Sequence, residues 1–333
     1  MASLVYSGTR LQRMASCPEK KTLLREEQIM FQFLKTTYMF EKAIEKTLEF
    51  TRPLHSISRT YGGLVMPGTS TLFFVNDNGV AVTCKHVLDL IPGADNLNQT
   101  YSKFKEEKDK ITKDAKFKRN LKGLELKFKY TNETTVQLKN NFMNCFDKIE
   151  QIVCHAHPTL DLAILEFKGF TKILYTSHAS FIKDSKNIKQ GKYLCRIGFP
   201  FPEFNNFKHD PLKDDIEWTN VGNAGSPSFP IDGIVTRFVG DTTGKVTGIE
   251  MSTPGLKGQS GGPLFDVNGT VYGMQFATNH LHLGFDIKDK EIINDGKKSK
   301  VSNYPFLHVG RCIHVDQIKE FLTEHKIAFT EAD

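Results

Sequence analysis

Two hydrophobic rhythms divide the chain. Across residues 19–50, "EKKTLLREEQIMFQFLKTTYMFEKAIEKTLEF", no Gly or Pro interrupts a run of helix formers. Met30 and Leu34, then Phe33, Phe40 and Ile44, recur at helical spacing there, which predicts one or two helices with an apolar face. After Pro53 the period shortens. "LVMPGTSTLFFVNDNGVAVTCKHVLDL" reads as two strands joined at "NDNG", a strong hairpin signal. Short β-like runs follow: "LELKFKY", "TTVQL", "KIEQIVCHA", "LDLAILEF", "KYLCRIGF", "GIVTRFVG", "GIEMST", "PLFDV" and "TVYGMQFAT". Turn residues separate them, and many short strands with few helices predict a mainly β sandwich or pair of barrels. "IHVDQIKEFLTEHKI" closes the pattern as a helix, with Val315, Ile318, Phe321 and Leu322 on one face.

Residues 94–122 break the β texture with dense charge and no strand alternation, and read as a helical, solvated insertion. The wider stretch 101–130 holds 11 Lys/Arg against 5 Asp/Glu, a surplus equal to the whole chain's net charge of +6. A basic segment can attract nucleic acid, but mixed signs and few interleaved aromatics favour a solvated face over a nucleic-acid site. The N-terminal helices likewise carry both signs of charge on their polar face, which disfavours a membrane surface.

With 333 residues, the chain is long enough for two globular units. No apolar run of about 18 residues is present, so no membrane-spanning segment is expected. The N-terminus lacks the apolar region of a secretory signal, and Cys17, Cys84, Cys145, Cys154, Cys195 and Cys312 are scattered without a CxxC pair. Reduced thiols, a cytoplasmic location and no zinc site are the expectations. No cofactor motif stands out.

The stretch "GLKGQSGGPLFDVNGTVYGMQFAT", residues 255–278, poses the chemical question. Gly258, Gly261 and Gly262 surround Ser260, and glycine is the residue that tolerates positive φ and close backbone approach. A serine hydroxyl needs a base to take its proton and a third group to orient that base. His86 sits at the end of the strand "GVAVTCKHVL", and Asp161 is a lone acid that interrupts an apolar strand in "HPTLDLAILEF", costly unless hydrogen-bonded or paired.

"VTCKHV", "LDLAILEF", "GQSGGPLF" and "GTVYGMQF" resemble the catalytic segments of trypsin/chymotrypsin-like serine proteases, in particular the HtrA-type bacterial branch, over about residues 60–327. The chain order His86, Asp161, Ser260 is that of the superfamily. The resemblance implies two six-stranded antiparallel β-barrels, with an N-terminal helical extension over 1–52 and a protease domain over 53–333. Within it the first barrel would span about 60–170, the second about 171–315, and a C-terminal helix 315–327. His86 would act as base then acid, Asp161 would hold its tautomer, and the Gly258 and Ser260 N–H groups would form an oxyanion hole. Pro254 falls at the base of the primary specificity pocket, with Gln275, Phe276 and Ala277 on its wall. No acid lies at that base, so a trypsin-like choice of Lys or Arg is not supported. No PDZ-type unit follows the protease body, and no "IVGG"-like activation terminus is visible.

The activity implied is a serine endopeptidase acting on protein or peptide substrates through an acyl-enzyme. The competing reading is a silent or gated protease-like scaffold that binds a partner through its N-terminal helices. The apolar positions Leu23, Met30, Phe33, Leu34, Phe40 and Ile44 must cover the protein's own barrel, a second copy or another protein.

Overall fold

The computed structural model describes residues 40–332 except Asp295 and Pro305. Of the expected N-terminal helices, the part before residue 40, with Leu23, Met30, Phe33 and Leu34, lies outside the described residues. What is described is a short helix, α1 (Glu41–Leu48). Phe40, just before it, and Ala43 on it are buried and meet Cys195, Ile197 and Phe265, with Ile44 packed alongside. This portion therefore covers the protein's own second half. Phe50, next in the chain, is fully buried in the main core, so the boundary placed at residue 52 cuts through packed structure.

The first half is a six-stranded sheet. Its strands are β1 (Thr51–Thr60), β2 (Val65–Phe74), β3 (Val80–Thr83), β4 (Thr135–Phe142), β5 (Gln151–Ala156) and β6 (Ala163–Lys168). They lie in the order β4-β1-β2-β3-β6-β5, and every pairing is antiparallel. No β4–β5 ladder closes it among the described residues, so it curls as a half-barrel. The turn predicted at "NDNG" joins β2 to β3, with Gly79 at φ 75°. The half begins at Thr51, earlier than the expected 60, because β1 pairs along its length with both β2 and β4.

The second half contains β7 (Ser180–Ile182), β8 (Tyr193–Gly198), β11 (Phe229–Gly240), β12 (Val246–Met251), β13 (Pro263–Phe265), β14 (Val271–His282), β17 (Phe306–His314) and β18 (Thr330–Ala332). Six of these run β13-β8-β11-β12-β17-β14, and β13 pairs back onto β14, so they close into a barrel. Two small hairpins interrupt the sequence of this half: β9 (Phe207–Asp210) with β10 (Asp215–Trp218), which packs onto β1 and β4 of the half-barrel, and β15 (Ile287–Asn294) with β16 (Lys297–Asn303). The fold is mainly β, a half-barrel of six antiparallel strands and a closed barrel of six to which β7 and β18 add in parallel, consistent with the double barrel that the resemblance implied. The C-terminal helix, which we label α5 (Val315–Glu324), buries Val315, Ile318, Phe321 and Leu322 in a core shared by both halves.

The charged insertion is helical but larger and better packed than expected. After a one-turn helix α2 (Lys85–Leu88) come α3 (Leu90–Asp109) and α4 (Phe117–Phe128). Tyr101, Phe104, Leu124, Tyr130 and Val136 form a separate apolar cluster beneath the charges. Asn98 fastens it to β4, accepting from Leu138 N–H at 3.1 Å and donating to Leu138 C=O at 2.8 Å. "LELKFKY", expected as a strand, lies mostly in α4: Leu121, Leu124 and Phe128 follow helical spacing and face that cluster.

No described helix is long and apolar enough to cross a membrane. The five described cysteines are free thiols.

Candidate active site

The half-barrel supplies the histidine and the acid. Cys84 has extended backbone (ψ 151°) at the head of α2, and buried Val87 and Leu88 anchor that helical turn. His86 points outward, its side chain 51% exposed. Asp161 lies in the turn between β5 and β6, fixed by fully buried Leu162. The two carboxylate oxygens are used separately: Oδ2 lies 2.7 Å from His86 Nδ1, and Oδ1 accepts the His86 backbone N–H at 3.0 Å. Burial raises the Asp161 carboxyl's pKa, but the hydrogen bonds from His86 outweigh it and leave the group below the usual carboxylate value. An ionised acceptor on Nδ1 leaves Nε2 as the free basic nitrogen.

Cys84 Sγ, His86 and Asp161 place potential ligand atoms within 4.8 Å of one another. Cys84 does not suit a metal. Burial, reinforced by Asp161, pushes its thiol well above its ordinary pKa, and it donates to the Gln275 carbonyl at 3.4 Å.

The barrel supplies the serine, on the loop between β12 and β13. Gly261 adopts φ 89°, and a Cβ there would sit 2.0 Å from Thr71 C=O. A Cβ on Gly262 would sit 2.0 Å from Ile197 C=O. The glycines flanking Ser260 are thus demanded by backbone packed directly behind the loop. Gly258, at φ 95°, is hemmed in by Phe199 C=O and Thr69 Oγ1, each 2.7 Å from where a Cβ would be.

Two residues that sequence reasoning missed hold this loop. Thr71 of β2 donates through Oγ1 to Gly258 C=O at 2.8 Å and through its N–H to Ser260 C=O at 3.0 Å. Gln259, fully buried, accepts the Leu256 N–H and donates to Phe229 C=O, so its side chain braces the turn from inside. With carbonyls and neighbouring N–H groups spoken for, the Gly258 and Ser260 N–H groups have no acceptor among the described residues. The Ser260 hydroxyl has only a long contact, 3.5 Å to Phe276 C=O.

A pocket of about 490 Å³ opens beside Ser260, and Pro254, Gln275, Phe276 and Ala277 all line it. Gln275 is nearly buried and its amide is engaged. Oε1 accepts from Arg196 at 2.6 Å and Nε2 donates to Ala277 C=O at 2.6 Å. Lys257, His280 and His308 also line the pocket, and none of them was singled out from sequence. The ladder of β14 and β17 pairs His280 directly with His308. The "HLH" alternation at 280–282 was a usable signal, since period 2 puts His280 and His282 on one strand face.

A family model for the trypsin-like peptidase domain matches residues 69–274. None of the curated protein sequences matches the chain. Among solved structures it is similar to the HtrA-type protease AlgW with a tripeptide, at 14% identity and TM-score 0.43, covering 87% of this chain and 65% of that one. The chain therefore spans under two thirds of the AlgW chain's length. A decapeptide complex of AlgW gives 14% identity, TM-score 0.44, and coverage of 86% and 67%. The active form of the Rv3671c protease from M. tuberculosis gives 14% identity, TM-score 0.41, and coverage of 87% and 86%.

Proposed function

The chain belongs to the trypsin-like peptidase domain family, and from that premise we propose that it is a serine endopeptidase in which His86, Asp161 and Ser260 form the triad. What supports this is the chemistry that each half offers separately. On one side is an imidazole whose Nδ1 is held by a carboxylate, and on the other an unclaimed hydroxyl beside two free N–H donors.

In the proposed reaction, His86 Nε2 takes the Ser260 proton as Oγ attacks the carbonyl carbon of the scissile peptide bond. The developing oxyanion is met by the Gly258 and Ser260 N–H groups. Such preorganised donors are each worth roughly 3–4 kcal/mol in the transition state. The imidazolium, stabilised by Asp161, returns its proton to the leaving amine and leaves an acyl-enzyme on Oγ. Water, deprotonated by the same imidazole, then releases the acid product. Protein or peptide substrates follow from the family.

A fluorophosphonate probe tests the reading. Labelling of the full chain that disappears in Ser260→Ala supports it. A full chain that neither labels nor cleaves a mixed protein substrate overturns it in favour of the silent scaffold.

A further inference from the structure

Behind the pocket lies a buried charge without a counterion. Arg196 of β8 is 0% exposed, yet its guanidinium reaches no carboxylate among the described residues. Nη1 donates to Gln275 Oε1, and Nη2 donates to Thr253 Oγ1 at 2.6 Å, to Thr253 C=O at 2.9 Å and to Pro254 C=O at 3.3 Å. Its Nε has no partner among the described residues. Every acceptor is neutral, and two of the residues involved, Pro254 and Gln275, line the pocket. A buried cation with no opposite charge is a costly arrangement unless some other group completes it.

The pocket's own chemistry has the same sign. No Asp or Glu lines it, whereas Lys257 stands at its rim with no carboxylate within ion-pair distance among the described residues. His280 and His308, with ring centroids 4.7 Å apart, add imidazole nitrogens at one wall. Arginine can only donate, so Gln275 must turn Oε1 towards it and Nε2 away. Nε2 spends one hydrogen on Ala277 C=O and has a second to give. Gly255 leaves room for it, since a Cβ there would lie 2.3 Å from Nε2.

We propose that this pocket reads a carboxylate: the substrate side chain entering it, N-terminal to the scissile bond, is that of Glu or Asp. Lys257, His280 and His308 contact the carboxylate, and Gln275 donates to it. Arg196 is a positioning residue that fixes the Gln275 amide and supplies a positive field from below the base. The proposal rests on the serine peptidase reading for its reaction, but not for its binding.

Two measurements separate the two ideas. The full chain is assayed on acetyl-Ala-Ala-Pro-X p-nitroanilides with X as Glu, Asp, Gln, Ala or Lys. Ser260→Ala protein is titrated with fluorescein-labelled peptides bearing Glu or the isosteric Gln. Glu or Asp should exceed Gln at least tenfold in kcat/KM, and Glu should bind at least tenfold tighter than Gln. Lys257→Met and His308→Gln should each shrink that ratio severalfold. Arg196→Met should lower Glu turnover far more than Ala turnover, with Arg196→Lys restoring part of the difference. Should Arg196→Met fail to fold, Gln275→Leu makes the same test of the amide. Equal handling of Glu and Gln in binding overturns the proposal even if the protein cleaves nothing. Labelling by fluorophosphonate together with a preference for Gln, Ala or Lys overturns it while leaving the peptidase reading intact.

Discussion

The half-barrel and the barrel hold their candidate catalytic side chains by different means. His86 stands half-exposed on a single helical turn and is aimed by two hydrogen bonds to one carboxylate. Ser260 sits on a loop braced from inside by the Gln259 side chain and fixed by backbone pressed against backbone at Gly261 and Gly262 and by Thr71 reaching over from the other half. The first arrangement is electrostatic and tolerant of small displacements. The second is steric and tolerates none. A chain that must bring two such groups together gains from making one of them adjustable and the other rigid.

The sharpest way to break that comparison is chemical. Ser260→Ala and His86→Ala should each lower kcat by about a million-fold, and the double variant should be no worse, because the two act as a unit. Asp161→Asn should cost about ten-thousand-fold, since an amide favours the wrong histidine tautomer. A single-turnover assay on any peptide the protein cleaves reads all four. Additive losses would show that the two halves do not work on one bond.

Stability should divide the halves in the opposite sense. Gly261→Ala puts a Cβ 2.0 Å from Thr71 C=O at a φ of 89°. Strain and overpacking together should cost about 4 kcal/mol, read as a lower urea midpoint. His86→Ala removes a half-exposed ring and should stay within about 1 kcal/mol of the parent. If both variants unfold alike, the loop is not the rigid partner.

Much of this was legible, for reasons that differ by residue. Ser260 was marked by its glycines, and Asp161 by being an acid in apolar company. Strand β14 was read as far as Thr278 from the β-like run "TVYGMQFAT", and α5 from its four apolar positions. Strand β1 was missed because its interior is polar: buried Arg59 is held by Gln137 Oε1 at 2.6 Å and Asp214 at 3.0 Å. His55 in the same strand is fully buried against Phe204, rings stacked at 4.1 Å. Hydrophobic patterning cannot see a core built around buried polar side chains. The β15–β16 hairpin was missed for the converse reason, since its mixed charge reads as loop while its strands hold only each other. His280 and His308 come together only through the 28-residue separation their ladder spans, which no local window reports.

His55 makes the half-barrel sensitive to acid. Burial pushes its pKa down to about 4, and neither ring nitrogen has a partner among the described residues, so the fold holds it neutral. The unfolded chain binds this proton at about 6.5. The stabilising contribution is therefore complete above pH 6.5 and is lost as pH falls from there towards 4. The loss amounts to about 3 kcal/mol from this group alone. Thermal unfolding followed between pH 7.5 and 4.5 should show the decline, and His55→Leu should flatten it. An unchanged slope in that variant would move the acid limb to other groups.

The smallest effect should come from the charges that dominate the insertion's sequence. Lys127 lies 2.6 Å from Glu107, but its side chain is 61% exposed and that of Glu107 39%. Water competes for both partners, and an exposed pair of this kind is worth about 0.2–1 kcal/mol. Lys127→Gln should therefore shift the urea midpoint barely beyond error, and less still in 0.5 M salt. Phe104 beneath it is 1% exposed and touches Tyr61, Tyr101, Phe128 and Tyr130. The insertion is thus attached to the half-barrel by its aromatic underside, while its lysines face solvent and leave its stability almost untouched. A loss above about 2 kcal/mol from Lys127→Gln would contradict that division and make the charge network a structural part of the half-barrel.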